Sequence, residues 1–324
     1  VALLAAFDVT PPATYAAHRL HTDSDCLWLE RNCYVDLWIE LLHSLGANPI
    51  ACCYPALAAD FQGDQWTFVK PDHWALWALY GVQVIEVDVW TSVESHVIRQ
   101  VRNHSLPLLE TDCFYLPDLE GLSYRAEHKK SAIGIAAIDP EAEVLWYFHN
   151  RDFHAAEGED YRGALYLDEK PRLVPYMEAA RVDRLAIRPD DELRAASLDL
   201  LRQLLPRRGD PFEAFRRHLE EVLPGIGSGG VDFDEYAFAN LRQLGMACAL
   251  GAEYVCWAQL REAEAIATRL RRVSELAQLF IMRLARFAAG RRAPDAAESV
   301  AAMASAWREA QDQLRDSVAG LVCV

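Results

Sequence analysis

The sequence lacks any apolar run of the roughly 18 to 20 residues that a membrane-spanning helix requires, so no membrane role is expected of it. Positive charge is scarce: 32 Lys and Arg stand against 48 Asp and Glu, a formal net charge of −16. A field of that sign repels phosphate, which argues against nucleic acid or an anionic membrane surface as partner. A basic leader is missing as well. The opening apolar stretch from Val1 to Phe7 is too short for a signal peptide and reads as an early strand or an ordered arm. There is no CxxC pair among the eight cysteines at 26, 33, 52, 53, 113, 248, 256 and 323. A disulfide scaffold is not expected in a chain this long, and the expected compartment is the reducing cytoplasm. Most of the cysteines then read as buried hydrophobes, with Cys52, Cys53 and Cys113 in apparent strands.

Other absences close further function classes. His18, His21 and Cys26, or His149 and His154, lack the spacing of a structural zinc site, so no metal or other cofactor is expected. Gly225 to Gly230 is followed by no Lys-Ser/Thr and preceded by no clear strand, so it reads as a flexible loop rather than a phosphate loop. No solenoid-period repeat and no low-complexity segment is present.

What is there is an ordinary globular composition, 52% hydrophobic over 324 residues, enough for a sizeable core in one domain or two. Residues 1–170 alternate short strands, turns and one clear helix, whereas residues 171–324 read as helical, with the boundary between Asp168 and Asp191. Strands are expected over Gly81–Trp90, Pro107–Leu116 and His128–Ile138, the last turning at Asp139-Pro140-Glu141 into Val144–Phe148 as a hairpin. Helices are expected from Pro211, over Tyr236–Gly251, over Glu262–Ala289 and over Ala296–Ala319, packed as a small bundle. The Trp-rich run from Trp66 to Trp90 reads as core and pocket wall.

The first helix is the informative one. Asn32 can cap it, Asp36 suits the dipole of its first turn, and Tyr34, Trp38, Leu41, Leu42 and Leu45 form one apolar face. Gly46 is placed to end it in a left-handed conformation. Cys33 then occupies the first helical position, where unpaired backbone N–H groups favour a thiolate and can also receive the oxyanion of an acyl intermediate. The alternative is a buried thiol in a helix's first turn. Against that stands the order of elements: a Cys on the first helix, His128 opening a strand, and Asn150 ending the next. Asn150 is placed to orient the His128 ring, with Asp152 as a rival for that role.

The same stretch resembles the papain-like fold of butirosin-biosynthesis-type acyltransferases, which move an acyl group from a carrier-protein thioester to an amine. The resemblance rests on Asn32-Cys33 opening a helix, Phe68-Val-Lys-Pro71 before Tyr80-Gly81, Asp112-Cys-Phe-Tyr-Leu-Pro117, and Tyr124 and His128 leading the strand that ends Ile138-Asp139. It covers roughly residues 25 to 152. The longer chain resembles an uncharacterised bacterial family of unknown function, through His128-Lys-Lys, Tyr147-Phe-His-Asn150 and Tyr236-Ala-Phe-Ala-Asn-Leu-Arg-Gln243. Members of that family are encoded beside acyl carrier proteins and amino acid:carrier-protein ligases, which are the partners the resemblance implies. One departure is Leu27, in the neighbourhood where papain-like proteases carry an oxyanion-hole Gln; Asn32 is the candidate replacement.

Together these readings give an α+β chain: a papain-like cysteine domain with a mostly antiparallel sheet, plus a C-terminal helical bundle extension. The expected function is acyl or aminoacyl transfer through a Cys33 acyl-enzyme, with His128 as base. The substrate would arrive on the phosphopantetheine arm of a carrier protein. Asp112, Tyr115 and Tyr124 would line the acceptor pocket, and a carboxylate such as Asp112 suits an ammonium group. Lys130, on the His128 side of its strand, would meet the carrier, although a solvated edge strand explains it equally well. Arg271-Arg272 and Arg291-Arg292 are further candidate docking charges. The rivals are a thioesterase or amidase using the same residues with water, and a non-catalytic protein that binds an aminoacylated carrier.

Overall fold

Every β-ladder in the first half of the chain is antiparallel, and the sheet they make is the scaffold on which the candidate site is built. A computed structural model describes residues 3–24, 26–168, 175–205 and 210–320. Two units are present. Residues up to 23, 32–49 and 72–189 form one, and residues 24–31, 50–71 and those from 190 onward form the other.

The first unit holds strands β1 (Leu4–Ala5), β2 (Gln83–Glu86), β3 (Ser105–Asp112), β4 (Lys130–Asp139), β5 (Val144–His149), β6 (Asp152–Glu157) and β7 (Met177–Arg181). They run in the order β2-β7-β3-β4-β5-β6, with β1 pairing the far end of β4 through Leu4 and Ile138. Central strands β3 and β4 are largely buried on both faces. The short helix α1 (Arg19–Thr22) precedes α2 (Cys33–Ser44), which lies along one face of the sheet. Close approach there depends on Gly134 in β4: an added Cβ would sit 3.3 Å from Leu37 of α2 and 3.1 Å from Leu106 of β3. The helix begins and ends as its sequence dictates. Asn32 Oδ1 accepts from the Val35 amide at 2.8 Å, and Gly46 follows at φ +75°.

Helices α3 (His73–Tyr80), α4 (Val93–Arg102) and α5 (Glu159–Ala164) complete this unit. The expected strand over 81–90 is a correction: α3 runs up to Gly81, its left-handed cap, and only Gln83–Glu86 pairs, with β7. Strand β7 itself was not foreseen. The expected strand over 107–116 stops at Asp112 and gives way to 3₁₀ turns at Cys113–Tyr115 and Pro117–Leu119, so Cys113 is not in a strand. His128 lies two residues before β4 rather than in it.

The second unit is helical: α6 (Asp190–Leu204), α7 (Pro211–Ser228), α8 (Phe233–Ala237), α9 (Gln243–Trp257), α10 (Ala263–Ala288) and α11 (Ala296–Ala319). One turn of π-helix, Phe238–Arg242, joins α8 to α9. Helix α9 is buried on nearly all sides, which is why its sequence is apolar throughout. Trp66 packs edge-on against Phe212, Phe215 and Trp307. The expected glycine loop at 225–230 is instead the last turns of α7. Gly227 is there because a Cβ would lie 2.3 Å from the Phe287 ring, and Gly229 at φ +74° caps the helix. Cys52 and Cys53, expected in a strand, are buried in a 3₁₀ segment, Pro49–Ala58. The segment 24–31 is strapped to these helices by its backbone. Arg242 donates to the carbonyls of Glu30 and Arg31 at 2.9 Å, and Gln278 donates to that of Leu27 at 2.6 Å.

Candidate active site

Cys33 stands at the first position of α2, half-buried, with the helix's first N–H groups around it. Beneath it the helix is fastened by a buried cluster. The His21 ring spans two carboxylates one turn apart, with Nε2 3.0 Å from Asp36 Oδ1 and Nδ1 against Glu40 Oε1. Both ring nitrogens are engaged by carboxylates of α2. Glu40 also accepts from Tyr15 at 2.6 Å, and burial, followed by the Glu40 charge, pushes the Tyr15 hydroxyl far above its ordinary pKa. His21 is thus spent on orienting α2.

Asp112 is the hinge of the site. As the last residue of β3 it caps the following 3₁₀ turn, its Oδ1 accepting from the Phe114 amide at 3.0 Å. Its other oxygen meets His128 Nδ1 at 2.6 Å. The His128 ring stacks on Phe114, with centroids 4.4 Å apart and an interplanar angle of 11°. Carboxylate, ring and platform therefore form one rigid group, in which the His128 side chain is 67% exposed and Asp112 22%. With Nδ1–H fixed on the carboxylate, Nε2 is the nitrogen left to exchange a proton.

Cys113 follows Asp112 and is buried. Burial pushes its thiol up to about 11 against a bond with Ser123, and the charges of Cys33 and Asp112 act in the same direction as burial. Tyr34, next to Cys33, reaches across the same face of the sheet to β7. Its hydroxyl donates to Glu178 Oε2 at 2.7 Å and lies 3.1 Å from His73 Nε2. Tyr176 donates to Glu178 Oε1 at 2.9 Å, and burial, then that bond, raises its hydroxyl to about 12. Glu178 is buried. No sequence pattern pointed to it, because β7 was not foreseen and its chain separation from Tyr34 is large.

The remaining expected residues are scattered. Asn150 sits in the turn between β5 and β6 at φ +49°, a conformation Asn tolerates better than most residues. Asp152 opens β6 and accepts from the Phe153 amide at 2.8 Å. Among the described residues neither bonds to His128, whose carboxylate partner is Asp112. Asn32 spends its Oδ1 on the α2 cap. Tyr115 packs on Gly163 of α5, and Tyr124 donates to Asp160 of α5 at 2.9 Å, so both belong to the α5 side of this arch. Lys130 pairs with Glu110 at 2.8 Å, and Lys129 with Glu127 at 2.6 Å.

A second network lies on the opposite face of the sheet from α2. Ser131 Oγ is 2.7 Å from His149 Nε2, and His149 Nδ1 is 2.6 Å from Asp118 Oδ2. Tyr147 donates to the other Asp118 oxygen at 2.6 Å. Burial opposes the Asp118 charge, but the His149 bond and charge and the Tyr147 bond outweigh it, so Asp118 is held below the usual carboxylate range. An ionised Asp118 fixes the His149 proton on Nδ1, and Ser131 then donates to Nε2. The order of groups is that of a serine relay. Ser131 and His149 are only 8% and 1% exposed, however, so the network acts as an anchor for the arch of residues 113–119 that carries Phe114. Among the described residues no group of three or more His, Cys, Asp or Glu is arranged to hold a metal ion, and no helix is long and apolar enough to cross a membrane.

Comparison with known protein families gives two matches that follow one another along the chain. The DUF1839 N-terminal domain matches residues 16–182, and the DUF1839 C-terminal domain matches residues 190–316. No curated protein matches the sequence.

Proposed function

The chain belongs to the DUF1839 family, and we propose that its N-terminal unit transfers an acyl or aminoacyl group from a carrier-protein thioester to an amine through Cys33. The feature that supports this reading is the Asp112–His128 pair, a ring oriented by a carboxylate at the end of β3, in the same unit as the helix that carries Cys33 at its first position. The papain-like arrangement is part of the same proposal. It is supported by a nucleophile-bearing helix lying on an antiparallel sheet. In this reading Asp112 takes the orienting role that the sequence had offered to Asn150 or Asp152.

The reaction runs in two balanced halves. The Cys33 proton passes to His128 Nε2, the sulfur forms a bond to the thioester carbonyl carbon, and the oxyanion is met by the first N–H groups of α2. The carbon–sulfur bond to the pantetheine arm then breaks, and the departing thiolate takes the proton from His128. An acceptor amine next attacks the acyl-enzyme and gives its proton to His128. The Cys33–carbon bond breaks, and Cys33 recovers the proton. An acyl carrier protein is the proposed partner, and an amino acid:carrier-protein ligase would supply the loaded carrier. The exposure of His128 favours one rival, hydrolysis by the same residues, because water reaches the ring directly.

The deciding measurement is intact mass after incubation with acyl- or aminoacyl-loaded carrier protein, for wild type and Cys33→Ala. A mass increase equal to the acyl group, absent in the variant, supports the acyl-enzyme. Turnover only on addition of an amine separates transfer from hydrolysis. No adduct across a panel of acyl groups, with Cys33 also inert to a mild alkylating agent, sinks the catalytic reading and favours a carrier-binding protein.

A further inference from the structure

The helical unit carries a concentration of positive charge that the acidic chain leaves uncompensated. Several arginines on its helices are paired with carboxylates, Arg216, Arg269, Arg271, Arg272, Arg308 and Arg315 each having a Glu or Asp within 3.6 Å, and Arg194 and Arg242 are spent on backbone carbonyls. At the turn from α10 to α11 the pattern breaks. Arg283, Arg286, Arg291 and Arg292 line one groove of about 360 Å³ together with Pro294, Asp295 and Glu298. Among the described residues no carboxylate pairs with any of the four arginines. Arg283 donates only to Ser299 Oγ at 3.3 Å. Asp295, though beside them, spends its Oδ1 on the Glu298 amide at the α11 cap. Four guanidinium groups against two carboxylates leave the lining with a charge of +2, in a chain whose net charge is −16.

Clustered arginines that repel one another and pass over available carboxylates are stabilised by an anion that bridges them. The guanidinium fork presents paired N–H donors that match the oxygens of a phosphate, and the start of α11 adds its dipole in the same sense. The groove is shallow and open to solvent, so a small anion can reach all four side chains. We propose that the α10–α11 turn binds a small ligand through a phosphate or diphosphate group, held chiefly by Arg286, Arg291 and Arg292. This site is independent of Cys33 and of the transfer reaction.

The test is titration calorimetry with inorganic pyrophosphate, without divalent metal and at low salt. Three proteins are compared: the full wild-type chain, Arg286→Ser with Arg291→Ser, and a control with Arg216→Ser and Arg217→Ser. All four substituted positions lie on the surface, and circular dichroism confirms folding. One saturable site in wild type, weakened at least tenfold in the first double variant, unchanged in the control and weakened by added salt, is the expected result. Absence of saturable binding up to about 5 mM, a range that still detects complexes near −3 kcal/mol, overturns the proposal. So does unchanged affinity in the Arg286/Arg291 variant, or equal loss in the control, which would mark general attraction to exposed arginine.

Discussion

Asp112 shows how one side chain can hold two neighbours at once. Its two oxygens do two jobs, one closing the 3₁₀ turn and the other fixing His128. Under the proposed transfer reaction, His128→Ala is expected to lower single-turnover acyl transfer by about 10²- to 10⁴-fold, the usual contribution of a general base. Asp112→Asn is expected to give a smaller loss, measured in the same assay, because the ring keeps its Phe114 platform. Asp118 makes a separate prediction about stability. Its folded pKa lies below the unfolded value, so its contribution is full above the ordinary carboxylate range and is lost as pH falls through the lower folded value. Asp118→Asn should therefore destabilise at neutral pH by about 1.5 to 3 kcal/mol, as expected when hydrogen bonds to a buried charged group are lost. The gap from wild type should shrink on acidification, as read by denaturant melts across pH. At this scale the sequence was legible where the physics is local. Asn32 as cap and Cys33 as first helical residue follow from neighbours. The Asp112–His128 pair and the Ser131–His149–Asp118 anchor depend on strand register and arch geometry, which residue types alone do not encode.

At the scale of elements, periodicity decided what could be read. Helix α11 has the bounds its apolar spacing predicts, and the β4–β5 hairpin follows from its turn residues. Helix α3 is apolar on every side, so no period marks it, and its neighbour β2 was overextended in consequence. The glycines near the end of α7 suggest a loop, yet Gly227 faces the Phe287 ring and Gly229 caps the helix. The strap of residues 24–31 is equally silent in sequence, because it is held by side chains far along the chain. Arg242→Ala removes two charge-assisted bonds to its carbonyls and should cost about 1 to 3 kcal/mol. Limited proteolysis should then cut within 24–31 before any helix of the second unit; unchanged cleavage would show that other contacts, among them the Gln278 bond and the 2.8 Å bond from Trp28 Nε1 to Ser274 Oγ, suffice to hold the strap.

For the whole molecule, charge outweighs every other sequence-level property. A net charge of −16 makes the folded chain repel itself, and salt screens that repulsion. Melting temperature is expected to rise by a few degrees as salt increases from about 10 mM to physiological strength, and a fall would mean that local ion pairs outweigh the net charge. The division into a sheet-bearing and a helical part was legible from composition. The path of the chain between them was not, since nothing in composition marks 24–31 and 50–71 as belonging with residues beyond 190.

That path bears on how the protein is made. The strap and the Trp66 segment leave the ribosome early, yet the helices that receive them begin at residue 190. Until those helices are synthesised, Trp66 lacks Phe212, Phe215 and Trp307, and the nascent chain must keep it out of wrong contacts. Long-range closures of this kind slow folding and leave apolar surface uncovered. Pausing or truncating translation between the two units should therefore yield chains that chaperones retain, whereas a full-length chain is released.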